Sequence, residues 1–148
     1  MVNSDDKTFR CELIGPMGKL LDCRTTSVVF PAHDGQVGVL YDHMAMLSQL
    51  GLGVMRVAQP VGGGREALAQ PAEVSFFVDG GFALVAENSV TVVAYDVLPL
   101  QDVQSEAIAS MVDKAARNRA SPVLSPAQQA HEDERWRALR RIAESATP

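Results

Sequence analysis

Residues 27–47 read SVVFPAHDGQVGVLYDHMAML. The β-branched run before Pro31 and the valines after Gly35 predict two strands folded about Asp34-Gly35. An Asp-Gly pair accepts the positive-φ backbone that a tight hairpin demands. A loop carrying His43 follows, and then the start of another strand. The stretch holds no metal-ligand spacing, no nucleophile elbow and no phosphate-binding loop.

The same grammar extends outward on both sides. Phe9, Cys11 and Leu13 alternate with Arg10 and Glu12, the period of a half-buried strand. Val54 to Val57, Ser75 to Val78, Phe82 to Ala86 and Ser89 to Ala94 are further short apolar runs. Gly15-Pro16, Asp79-Gly80-Gly81 and Glu87-Asn88 are the turn signals between them. Short strands without intervening helices predict an antiparallel β-sandwich. Pro60 to Pro71, PVGGGREALAQP, predicts a long flexible hairpin loop.

After Pro99 the period changes. Val103, Ala107, Met111 and Ala115 recur every fourth residue, with Ile108 and Val112 beside them, and Asp102 can cap a helix running to about Arg119. Ala-Ser-Pro at 120–122 breaks it. Ser125 caps a second helix, with Pro126 in its first position and Gln128 placed for a capping box. Trp136, Leu139, Ile142 and Ala143 give that helix an apolar stripe. The fold class is therefore mainly β with an α appendage: a sandwich over residues 1–99 and an αα-hairpin over 100–148. The hairpin stripes are narrow and rich in alanine. A buried Leu, Ile or Met contributes roughly 1.5–3 kcal/mol, whereas ordering each residue costs about 1–2 kcal/mol of backbone entropy. Such a hairpin can be redocked by a competing surface.

Composition narrows the functional classes. The net charge is −5, with 11 acids against 6 bases in residues 1–100 and 7 against 7 in residues 101–148. No broad basic face exists for nucleic acid. No apolar run approaches the roughly 20 residues that span a bilayer. The polar start MVNSDDKTF is neither a signal peptide nor a transit peptide, so membrane association is expected only through a partner. Cys11 and Cys23 are expected to be reduced packing thiols. Gly15-Pro16-Met17-Gly18-Lys19 lacks the first glycine of a phosphate loop and has Leu20 where a magnesium-binding hydroxyl belongs. His33, His43 and His131 show no ligand spacing. The sequence thus offers no catalytic, cofactor-binding or metal-binding residues. Arg135, Arg137, Arg140 and Arg141 crowd one helix beside Trp136; they are either a solvated face or a strip for an acidic partner.

Several segments in order resemble the ε subunit of bacterial and plastid F-type ATP synthases. FRCELIGPMGKLLDC is similar to that family's first hairpin, and residues 28–47 follow its pattern V-x-x-P-A-x-x-G-x-x-G-V-L-x-x-H-x-x-x-L. Gly51 to Val57 follows G-x-G-x-x-R-V; Phe77 to Phe82 and Val85 to Val92 come next, and the helical hairpin closes the chain. The resemblance implies a non-catalytic rotor subunit of the central stalk in a proton-translocating enzyme on the cytoplasmic face of the bacterial plasma membrane. Its partners would be the γ subunit, the loops of the c-ring and, transiently, the acidic tip of a catalytic β subunit.

The resemblance also assigns residues. Gln36, His43, Met44 and Met46 would face γ and the c-ring, and Arg135, Arg137, Arg140 and Arg141 would lie on a helix that restrains ATP hydrolysis. Tyr41-Asp42 replaces the family's Pro-Gly, and Gln36 stands where an acid is common. Some relatives bind ATP through a motif of the form I/L-D-x-x-R-A. Here Ser105 replaces its arginine, so weak or no ATP binding is expected and no cofactor is assigned. The competing reading is a β-sandwich protein-binding module with a helical dimerisation tail.

Overall fold

A computed structural model describes residues 7–58, 72–100 and 105–146. The expected loop at Pro60 to Pro71 and the expected cap at Asp102 lie outside them. The chain forms two compact units, residues 1–101 and 102–148.

Eight strands build the first unit: β1 (Phe9–Gly15), β2 (Gly18–Thr25), β3 (Ser27–Ala32), β4 (Gly35–Leu40), β5 (Met46–Ala58), β6 (Glu73–Ala86), β7 (Ser89–Ala94) and β8 (Val97–Pro99). They run in the order β2-β1-β7-β6-β5-β3-β4, with β8 also on β6. Met46 to Leu50 of β5 and Gly81 to Ala86 of β6 pair beside β7, in one layer with β1 and β2. The later part of β5 and Phe76 to Val78 of β6 pair with β3 and β8, in a second layer that β4 completes. One continuous sheet thus closes over its own face as a sandwich.

Glycines make the bend. The sequence predicts a turn at Asp79-Gly80-Gly81, but the structure has one uninterrupted strand, β6, kinked there. Gly80 and Gly81 take φ values of 74° and 125°. A Cβ on Gly81 would sit 1.9 Å from the Val93 carbonyl oxygen, and one on Gly51 of β5 would sit 2.6 Å from that of Ala32. The same left-handed backbone that closes a hairpin here folds a strand over a corner. One further departure is that β1 and β7 pair in parallel; all other pairs are antiparallel.

The remaining turns fall where the sequence marks them, except that the β3–β4 turn sits one residue before the expected Asp34-Gly35. Glu87 and Asn88 both take positive φ between β6 and β7, the backbone of a type I′ hairpin. In the β3–β4 hairpin His33 and Asp34 form the turn, and Gly35 alone is left-handed at 143°. The core lies between the layers. Phe9, Leu13, Val28, Phe30, Met55, Val57, Val78, Val85, Val90 and Val92 are among its fully buried members.

The second unit is α1 (Ser105–Arg119) followed by α2 (Pro126–Ala146). The capping box forms: the Gln128 N–H donates to Ser125 Oγ at 3.3 Å, and the Ser125 N–H donates to Gln128 Oε1 at 2.9 Å. The helices pack on each other, and Ile108, Ala115 and Leu139 are the buried apolar residues among those described in the unit.

Candidate functional site

The loop between β4 and β5 reproduces a glycine-shaped turn without a glycine. Asp42 takes φ 64°, a conformation in which aspartate is tolerated better than most residues. Its N–H donates to Asn88 Oδ1 at 2.8 Å, tying this loop to the β6–β7 turn. The His43 N–H donates to the Leu40 carbonyl at 3.2 Å, and His43 Nδ1 lies 2.7 Å from the Met44 carbonyl oxygen. With its backbone held in this way, the loop presents Met44, 76% exposed, together with exposed Leu40 and Tyr41.

The sheet continues that apolar surface. Leu47 on β5 is 71% exposed and pairs with exposed Leu84 on β6. Phe82, two residues before Leu84 and on the same face, pairs with exposed Val93 on β7. The Phe82 ring meets Tyr95 edge-on, with centroids 6.3 Å apart. Directly opposed residues point to the same face of a sheet, so Leu47, Leu84, Phe82, Val93 and Tyr95 form one apolar field. The outward face of an ordinary antiparallel sheet is polar. A contiguous apolar field on that face marks an interaction surface.

A charged border runs along the next two strands. Thr91 and Val93 pair with Glu12 and Ile14 on β1, and Glu12 pairs with Asp22 on β2. Arg10 donates from Nη2 and Nε to the two Asp22 oxygens at 2.9 and 3.1 Å. Lys19 Nζ reaches Glu12 at 2.8 Å and Asp22 at 3.2 Å. These hydrogen bonds, from Arg10 first and then Lys19, hold the Asp22 carboxyl down at about 2. The two bases and two acids largely satisfy one another, which leaves the apolar field as the adhesive part of the face.

The sequence-predicted residues divide. His43 and Met44 belong to the loop that begins the field. Met46 is half-buried and packs against the core. Gln36 is exposed at the opposite end of β4 from that loop, about 14 Å along the strand from Leu40 at 3.4 Å per residue. The structure therefore does not bring Gln36 and His43 together. Leu47, Phe82, Leu84, Val93 and Tyr95 escaped the sequence reading. Their signal was the parity of β6: Ala83 and Val85 face inward, so Phe82 and Leu84, large and apolar, must face out.

On α2, Arg137 and Arg141 are exposed and Arg135 is half-buried. Arg140 Nε pairs with Glu144 at 3.2 Å, and its guanidinium carbon lies 5.2 Å from the Trp136 ring centre. Cys11 and Cys23 are directly opposed on β1 and β2, both buried and both free. Burial pushes the Cys11 thiol far up and the Cys23 thiol to about 11, so neither is a ready nucleophile. Among the described residues no cluster of three His, Cys, Asp or Glu could hold a metal ion, and no helix is long and apolar enough to cross a membrane.

Residues 8–99 match the family described as ATP synthase, Delta/Epsilon chain, beta-sandwich domain. The ATP synthase epsilon chain of Jannaschia sp. is 31% identical over 77% of this chain and 78% of its own. That of Synechococcus sp. is 31% identical over 93% of this chain and 94% of its own. Among solved structures, a chain of the Euglena gracilis mitochondrial ATP synthase superposes with a TM-score of 0.65, at 19% identity over 94% of this chain and 81% of that one. A chain from the central stalk and c-ring of the Tetrahymena thermophila mitochondrial ATP synthase gives 0.62, at 13% identity over 93% of this chain and 96% of that one.

Proposed function

The chain belongs to the delta/epsilon family of ATP synthase chains, and from that premise we propose how its surfaces serve a rotor. It is a non-catalytic subunit of the stalk of an F-type ATP synthase and reaches the membrane through that complex. In our reading the apolar field of Leu47, Phe82, Leu84, Val93 and Tyr95, with Met44 at its border, docks on the γ subunit. Gln36, at the other end of β4, faces the polar loops of the c-ring. The assembly sits on the cytoplasmic face of a bacterial plasma membrane, and proton flow turns it. No bond is made or broken on this chain; it holds γ and the c-ring in register so that rotation reaches the catalytic head.

The observation that carries the reading is the apolar field on an outward sheet face, bordered by charges already paired among themselves. Burying such a field on a partner removes apolar area from water at about 25 cal/mol per Å². The measurement is co-purification with the cognate γ subunit. A stable complex that survives gel filtration is the expected result; a chain that elutes alone would sink the proposal. Dimers formed through residues 101–148 without γ binding would favour the binding-module reading.

The helices regulate in this reading. Arg137 and Arg141, exposed on α2, present planar cations to the acidic tip of a catalytic β subunit and restrain ATP hydrolysis. Replacing Arg137, Arg140 and Arg141 together by alanine should raise hydrolysis by the reconstituted enzyme, and an unchanged rate would remove the arginines from the mechanism. Ser105 in place of the motif arginine leaves ATP without its clearest partner. Titration calorimetry should therefore show weak or no ATP binding, and micromolar affinity would contradict that.

A further inference from the structure

The loop between β4 and β5 is one tight turn held from outside. The His43 N–H closes it on the Leu40 carbonyl at 3.2 Å, so Tyr41 and Asp42 are its two central residues. Asp42 takes φ 64° and Tyr41 a negative φ, which makes this a type II turn. Type II prefers glycine at the second central position. Most other pairs take type I, which closes the same four residues with the central peptide turned over. Tyr41-Asp42 therefore has little local reason to choose type II. The choice is made 46 residues away, where Asn88 Oδ1 accepts the Asp42 N–H at 2.8 Å. That N–H belongs to the central peptide, the group whose direction separates the two turns. Asn88 is itself a fixed post: it sits in the β6–β7 turn at φ 55°, and its carbonyl accepts the Arg10 N–H at 3.2 Å.

We propose that Asn88 is a positioning residue for docking on γ: its carboxamide oxygen selects the type II form of the 40–43 turn. Its part in docking rests on the γ reading above; its hold on the turn does not. In a trans peptide the C=O points opposite to the N–H. With the Asp42 N–H turned to Asn88, the Tyr41 carbonyl points away from the β6–β7 turn, and the exposed Asp42 side chain is fixed with it. A type I turn would reverse that peptide, aim the Tyr41 carbonyl at Asn88 and leave the Asp42 N–H to the partner. Both groups lie between exposed Leu40 and Met44, at the border of the apolar field, where an unmatched polar group is costly to bury. One neutral hydrogen bond shifts an equilibrium about two- to tenfold, enough to tip a turn between two forms that close alike.

The backbone amide of Asp42 reads the turn directly. In the full-length free chain, Asn88→Gly keeps a residue suited to positive φ and removes the acceptor. Hydrogen exchange at the Asp42 amide should then quicken about tenfold, while exchange in β3 stays as it was. Association with the γ subunit should weaken about three- to tenfold. Asparagine can also donate to a reversed peptide, whereas ionised aspartate only accepts, so Asn88→Asp should protect the Asp42 amide at least as well as the wild type. The decisive variant adds Tyr41→Pro and Asp42→Gly to Asn88→Gly. Pro-Gly chooses type II by itself, so γ binding should return to within about twofold of wild type with no acceptor at position 88. Unchanged exchange at Asp42 in Asn88→Gly would overturn the hold on the turn. Unchanged γ binding in that variant, or weakened binding that Pro-Gly does not restore, would overturn the positioning role. If the wild-type chain does not bind γ, the rotor reading fails, and the exchange rates still decide whether Asn88 selects the turn.

Discussion

The sandwich and the hairpin are made of different kinds of interaction. Among the described residues the sandwich core is a cluster of 18 buried apolar or thiol residues drawn from seven strands. Of the described residues the helical unit buries three: Ile108, Ala115 and Leu139. What the hairpin lacks in burial it replaces with directional contacts, a capping box at Ser125 and the contacts around Arg119. Burial is non-directional and grows with area, so the sandwich is fixed by the sum of many residues. Polar contacts compete with water and contribute about 0.5–1.5 kcal/mol each, so the hairpin's arrangement depends on a few of them. One unit is suited to holding a shape and the other to being repositioned.

That contrast can be broken most severely in the core. Phe30→Ala should cost about 3–5 kcal/mol in urea denaturation, because the ring is fully buried and the strands around it cannot collapse onto the hole. Leu139→Ala should cost about 2–3 kcal/mol, confined to the helical unit and read as lost helicity with the β-sheet signal intact. Equal losses in both units from Leu139→Ala would dissolve the distinction.

The next effect is on binding. Leu84→Asp should leave the urea midpoint of the free chain nearly unchanged, since the side chain is already half in water, and weaken association with γ by at least about thirtyfold, equivalent to roughly 2 kcal/mol. A smaller effect is expected from Asp42→Gly, which relieves a left-handed backbone at a non-glycine residue and should stabilise the sandwich by about 0.5–1 kcal/mol in the same denaturation assay. The smallest concerns acid. Asp22 is held below its unfolded value, so its contribution is complete above about pH 4 and fades as the pH falls through about 2. Asp22→Asn should flatten that portion of the acid-denaturation curve and leave stability at pH 7 to 8 with the same pH dependence.

Most strands, both helices and the capping box were legible because each is written locally, in periods of two or 3.6 and in cap residues. The corner in β6 was not. Gly80-Gly81 announces left-handed backbone, but that backbone serves a reversal or a bend equally well; the choice is made by β5, whose own corner at Gly51 lies alongside. The parallel pairing of β1 with β7 joins residues about 80 positions apart, and nothing in either strand names the other. The site was half legible. His43 and Met44 are marked by a motif, whereas Phe82, Leu84 and Val93 look like ordinary strand residues until pairing shows which face they occupy. The Arg119–Asp133 ion pair and the Arg119–Trp136 contact are not legible in the sequence, because the spacing along α2 says nothing of a partner that stands on α1.

The uninterrupted passage of β5 and β6 around the corner has a mechanical consequence. From Met46↔Val85 to Ala58↔Glu73 they form one ribbon whose rungs cross the strand axis everywhere but at Gly51 and Gly80 in the corner. A load applied along that axis strains the rungs in parallel, as shear, instead of peeling them one after another. A block loaded in this way yields little before it fails.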